Sequence, residues 1–197
     1  MRTIGTSGGY SVLELLMALG VSVTLGAAAV PECLTTLDEA RASGAVHHIS
    51  GRLQRARMEA VMRSAVVGLQ FTPTADGYSY TVYLDGNRNG ILTRDIQRGI
   101  DRVVTRTERL GDQFAGIEFG AIPGLPAVDA GGTPPGSDPI RLGSGSIASF
   151  SASGSSSSGT VYIRSRRDAQ YAVRIFGETG KTRMLKFEPR TRVWKQL

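Results

Sequence analysis

A chain of 197 residues holds one domain of ordinary size plus an appendage, and leaves no room for a second independent domain. Its composition, 41% hydrophobic and 20% charged, is that of a folded protein, and a single cysteine, Cys33, excludes an internal disulfide framework. The net charge of +6 is unevenly placed: residues 1–163 carry 13 Lys and Arg against 14 Asp and Glu, while residues 164–197 carry 10 against 3, so any anionic partner belongs at the C-terminal end.

From Tyr10 to Val30 the ionisable side chains are Glu14 and the tyrosine itself. As a helix these 21 residues span about 31 Å at roughly 1.5 Å per residue, enough for one membrane crossing. Arg2 precedes the run and no positive charge follows until Arg41, so the positive-inside bias sets the N-terminus in the cytoplasm and the remainder in the periplasm. An ordinary secretory signal would carry its small-residue cleavage site after the apolar run, whereas Ser7, Gly8 and Gly9 stand before it. A carboxylate inside such a run also costs several kcal/mol, roughly, unless something compensates it, so Glu14 needs a reason.

The stretch Gly8-Gly9-Tyr10-Ser11-Val12-Leu13-Glu14-Leu15-Leu16 resembles the prepilin-type signal of type IV pilins and type II secretion pseudopilins. The resemblance implies cleavage after Gly9 by a membrane-embedded prepilin peptidase, N-methylation of Tyr10 where the family usually has phenylalanine, and Glu14 as the fifth residue of the mature chain. It also places Pro31 where many pilins carry a helix-loosening proline. The residues divide accordingly into a leader at 1–9, a transmembrane and assembly helix at 10–31, and a periplasmic head at 32–197. The physics of Glu14 agrees: on joining a filament its carboxylate can pair with a neighbour's N-terminal ammonium inside an apolar bundle, which fixes register even where the net energy is small. The plain alternative is a side chain that snorkels to the cytoplasmic headgroups.

Beyond Pro31, apolar residues at Leu34, Leu37, Val46, Ile49, Leu53, Ala56 and Ala60 predict an amphipathic continuation of the same helix, with Arg52, Arg55, Glu59 and Arg63 on another face. Pro31, Gly44 and Gly51 are expected to bend or weaken it. His47 and His48 are adjacent, hence about 100° apart on a helix, which is poor geometry for a shared metal. The run from Ala56 to Leu69, which contains Ala56-Arg57-Met58-Glu59-Ala60, resembles the GspH/FimT subgroup, as do Phe150, Gly154 and Ser158-Gly159-Thr160-Val161-Tyr162-Ile163. That resemblance implies a pilin-like α+β fold, with the long helix packed on a mainly antiparallel sheet.

Strands are expected at Val66–Thr72 and Tyr78–Leu84, with a turn at Asp76-Gly77. Gly120–Gly159 has 24 Gly, Ser or Pro in 40 residues and reads as long loops around a short strand near Ile147–Phe150. Further strands are expected at Thr160–Ser165, Gln170–Phe176, Arg183–Phe187 and Thr191–Lys195. Asp85-Gly86-Asn87-Arg88-Asn89-Gly90 matches the start of a calcium loop, but the twelfth position is Ile96 and the nearest acid, Asp95, falls one place early, so a hairpin-like turn is favoured over a metal site. No nucleophile, histidine and carboxylate set, phosphate-cradling loop or paired-cysteine site can be made out, so the chain reads as a non-enzyme with no cofactor and no metal.

Two readings of function follow. The first is a minor pseudopilin, similar to the type II secretion H subunit, anchored among inner-membrane lipids and polymerising with other pilins or pseudopilins as a structural part of a filament. The second is a minor type IV pilin that binds double-stranded DNA. Arg190, Arg192 and Trp194 alternate, so an extended chain presents two guanidiniums and an indole on one face, and Arg164 and Arg166 do the same on an earlier strand. Pro189-Arg190-Thr191-Arg192 is similar to the arginine-bearing C-terminal segment that FimT-type proteins are thought to use.

Overall fold

In a computed structural model, residues 9–143 and 145–197 are described. The leader expected at residues 1–9 lies, apart from Gly9, outside them. The chain divides into two compact units, with the boundary at Leu37 and Asp38.

The first helix, α1, is Val12–Arg63. Ser11 caps it: the Ser11 hydroxyl accepts the Glu14 N–H (3.2 Å) and the Ser11 carbonyl accepts the Leu15 N–H (3.1 Å), so the helix starts where the sequence first offers a cap. α1 runs through Pro31 without a break in the helix. In the first unit every side chain from Tyr10 to Leu37 is exposed. Ser22 and Thr24 turn their hydroxyls onto the carbonyls of Ala18 and Val21, which hides polar hydrogens on an otherwise apolar surface.

In the second unit the apolar stripe of α1 becomes a core. Ala42, Ala45, Val46, Ile49, Leu53, Ala56 and Ala60 are buried, at the period that the sequence displays. Gly44 admits a neighbour, since a Cβ there would lie 3.0 Å from the Phe114 ring. The stripe packs against two antiparallel sheets. In one, β1 (Val67–Thr74) pairs with β2 (Gly77–Leu84) and β7 (Ile147–Phe150), while β2 also pairs with the short β3 (Arg102–Val103) and β4 (Glu108–Arg109). In the other, the order is β11 (Val193–Gln196), β10 (Thr182–Glu188), β9 (Gln170–Ile175), β8 (Gly159–Ser165) and β5 (Ile117–Phe119), with β6 (Ile140–Leu142) also on β8. Two short helices, α2 (Thr93–Gln97) and α3 (Leu110–Gln113), complete the elements. The architecture is α+β and pilin-like.

The second sheet is covered on both faces. Val161, Ile163, Tyr171, Val173 and Ile175 join the core under α1, whereas Tyr162, Ala172, Leu185 and Phe187 face a separate cluster closed by Leu125, Ile122 and Trp194. The Gly-rich segment after β5 therefore straps the outer face instead of dangling. Gln170, 1% exposed, pins its start: the amide nitrogen reaches the carbonyls of Gly120 and Ile163, and the amide oxygen accepts the Ile122 N–H. Gly159 is obligatory where β6 meets β8, because a Cβ would collide with the Arg141 carbonyl.

Candidate assembly helix and basic edge

The residues that the sequence marks for processing and assembly, Gly9, Tyr10 and Glu14, lie at the start of α1. Gly9 and Tyr10 precede the helix and are exposed. Glu14 is its third residue, one turn from the amino end, where the helix dipole favours a negative charge. Ser11 and Glu14 stand in the spacing of a capping box, a local role for both residues that the sequence displays and that the filament reading alone overlooks. Around Glu14 the helix exposes Leu13, Leu15, Leu16, Met17 and Leu19 on all sides. A helix apolar all round cannot rest in water, and α1 is the helix among the described residues long and apolar enough to cross a membrane. Pro31 lies within it, and its carbonyl accepts the Thr35 hydroxyl (3.0 Å).

The C-terminal residues are arranged differently from the alternating face the sequence suggests. β11 begins at Val193, so Arg190 and Arg192 sit in the turn after β10, and Arg192 has φ 55°, which breaks any extended run. Its guanidinium donates to the Gly124 carbonyl (2.9 Å). Trp194 points into the outer cluster: its indole N–H donates to the Pro126 carbonyl (3.1 Å) and its ring packs 5.2 Å from Phe187 and 5.9 Å from Tyr162. The indole is thus committed to the fold rather than presented for stacking. On β8, Arg164 pairs with Glu118 (2.6 Å), while Arg166 is exposed just beyond the strand end. Arg164 and Arg166 lie together at the C-terminal end of β8, and the turn with Arg190 and Arg192 follows the C-terminal end of β10, with β9 between the two strands.

The loop at Asp85 is closed by its own backbone. Asp85 accepts the N–H groups of Asn87, Arg88 and Gly90, Asp95 accepts the side-chain amides of Asn87 and Asn89, and Asp101 accepts the N–H groups of Gly86 and Leu92. Those donors explain why three carboxylates stay buried there, and hydrogen bonding from Asn89 holds the Asp95 carboxyl below its ordinary pKa. His47 bonds back to the Ser43 carbonyl (2.8 Å), whereas His48 meets the Tyr80 hydroxyl (3.0 Å) on the flank that carries Arg52 and Glu108.

A capped helix that is apolar and exposed over its first half and whose second half lies in the core of an antiparallel head defines a membrane-anchored, pilin-like structural subunit. Residues 45–179, more than half of the chain, match the family described as Type II transport protein GspH, and the chain belongs to that family. It is also similar to the Pilin-like protein PilA1 of Thermus thermophilus, at 38% identity over 85 residues, 43% of this chain and 52% of that protein. The chain therefore spans about half the length of this curated relative. No solved structure matches it.

Proposed function

We propose that the chain is a minor pseudopilin, comparable to the H subunit of type II secretion, that serves in the assembly or tip of a periplasmic pseudopilus. The observation that carries this reading is a GspH-type head in a chain whose first helix is apolar and exposed from Val12 to Leu37, which is suited first to lipid and then to a bundle of like helices. Prepilin peptidase cuts after Gly9, Tyr10 becomes the methylated first residue, and other pseudopilins in the inner membrane are the partners. Mass spectrometry of the protein from peptidase-containing membranes tests it: a chain starting at N-methylated Tyr10 is expected, and persistence of Met1–Gly9 overturns the reading.

A second reading, binding of double-stranded DNA by a minor pilin, is favoured by Lys181, Arg183 and Arg190, which are exposed and make no ion pair with a carboxylate among the described residues. Binding of that kind rests on the turn arginines and weakens steeply as salt rises. Arg190→Ala with Arg192→Ala is expected to lower affinity for a duplex oligonucleotide and to flatten its salt dependence; unchanged binding removes the reading.

A further inference from the structure

Two cavities lie side by side along one edge of the second sheet. The first, about 570 Å³, is lined by Asp76, Tyr78, Arg109, Asp112, Gly116 to Phe119, Arg164, Arg166 and Asp168. The second, about 540 Å³, shares Tyr78, Phe119 and Arg164 and continues past Gly120 and Ala121 to Gly124, Ser137 and Pro139. Together they form a groove that follows the backbone from Gly116 to Ala121, and β5 within that stretch is the terminal strand of its sheet.

Among the described residues the groove has an unused backbone edge. Gly120 donates its N–H to the Tyr162 carbonyl on β8 (3.1 Å), so in the alternation of an antiparallel ladder the neighbouring Phe119 turns its N–H and carbonyl away from β8. An extended chain laid alongside can bond to that edge, as edge strands commonly permit. The walls set the charge of what fits. Arg109 pairs with Asp76 (3.2 Å) and Arg164 with Glu118 (2.6 Å), which leaves Arg166, Asp112 and Asp168 lining the groove without an ion pair among the described residues. One free cation and two free carboxylates call for a ligand that carries both signs. With Arg109, Arg164 and Arg166 set against Asp76, Asp112, Glu118 and Asp168 the cleft is close to neutral, without the excess positive charge that draws a polyanion. Tyr78 and Phe119, edge to face at 6.3 Å, supply an aromatic wall for aliphatic side-chain stems.

We infer that this groove is a docking site for an extended polypeptide segment, with at least one Lys or Arg and at least one Asp or Glu, which lies beside Gly116–Ala121 and reads Arg166, Asp112 and Asp168. The site does not depend on which secretion or pilus machine the chain serves. Full-length protein in detergent micelles is panned against a phage-displayed library of random decapeptides, and the best-enriched decapeptide is then synthesised and its affinity measured directly. Enriched sequences of mixed charge are expected, with binding at least ten-fold weaker to Arg166→Glu and to Ser137→Trp, an exposed loop position where a large side chain fills the groove. Addition of that decapeptide is also expected to slow amide exchange at Phe119. Failure to enrich any peptide, binding indifferent to both variants, unchanged exchange at Phe119, or displacement of the decapeptide by a duplex oligonucleotide or a chito-oligosaccharide at similar concentration each overturns the inference. Cleavage and methylation at Gly9 and Tyr10 are read separately, so the two proposals fail independently.

Discussion

At the scale of single residues, the flank of α1 that carries His48 and Arg52 shows how a helix face reads differently once its partner is in place. Arg52 pairs with Glu108, which also accepts the Tyr80 hydroxyl (3.1 Å) and the Gln113 amide (3.1 Å), and His48 sits against Tyr80 and the Phe114 ring. Burial, with help from the nearby Arg52 and Arg55, holds the His48 pKa below its ordinary value of 6.5, even though Glu108 lies 3.7 Å away, because Arg52 already neutralises that carboxylate. A histidine that resists protonation in the folded state while the unfolded chain protonates near 6.5 lends stability that is full above that pH and is lost as pH falls through and below it. Urea midpoints measured from about pH 8 to about pH 5.5 are therefore expected to decline on the acid side, with a shallower decline for His48→Gln than for the parent. Equal slopes would assign the acid sensitivity to other groups. The period of the apolar stripe and the position of His48 on its margin were legible in the sequence, whereas the acid it meets was not, since β4 has only two residues and no period to detect. The same limit hid Arg57, whose guanidinium donates to the Gly154 carbonyl (3.1 Å) beside Gly180: the Ala-Arg-x-Glu-Ala pattern marked the residue, and only the fold revealed that it holds two turns to the helix.

At the scale of elements, the strands of seven or eight residues follow from alternation, and their expected bounds agree with β1, β2, β8 and β10 to within two residues. The departures have physical causes. β3 to β6 are two or three residues long and exist only because a longer strand offers them an edge, so local propensity says little about them. β11 starts late because the chain must turn at Arg192 before it can pair with β10, and the register Phe187 to Trp194 then delivers the indole to the outer cluster. The strap from Ala121 to Val128 looks structureless by composition, and it is ordered by side chains that reach it or its end: Trp194 bonds within it, and Arg174 bonds to Asp129 (2.6 Å), the next residue. Trp194→Phe keeps a ring in the cluster and removes the donor to Pro126. A net loss of about 1 kcal/mol is expected, in the range for one hydrogen bond. The change should speed amide exchange in residues 121–128 more than in β1 or β2, measured by mass spectrometry; uniform acceleration would show that the strap is not an independently loosened element.

At the scale of the whole molecule, the helix-end role of Glu14 and the assembly role proposed for it can be separated by one substitution. As the third residue of α1 it complements the helix dipole, worth about 0.3–1 kcal/mol and confined to the first turn, and the Ser11 hydroxyl caps its backbone N–H whatever the side chain. As a carboxylate within an apolar helix it is available to a neighbour's ammonium, and removal of one member of a buried pair costs about 3–5 kcal/mol because the other is left uncompensated. The two units of the chain are compact separately, and among the described residues those of the core, from Ala42 to Phe187, belong to the second. Glu14→Ala is therefore expected to leave the urea midpoint of the full chain in micelles unchanged while it abolishes cysteine or amine cross-linking to partner pseudopilins in membranes, and Glu14→Gln, which keeps a hydrogen-bond acceptor without the charge, is expected to restore only part of it. If Glu14 served the helix end alone, a loss of under about 1 kcal/mol in the first turn could not undo assembly, and cross-linking at parental levels in Glu14→Ala would show that the acid belongs to the cap and not to the filament.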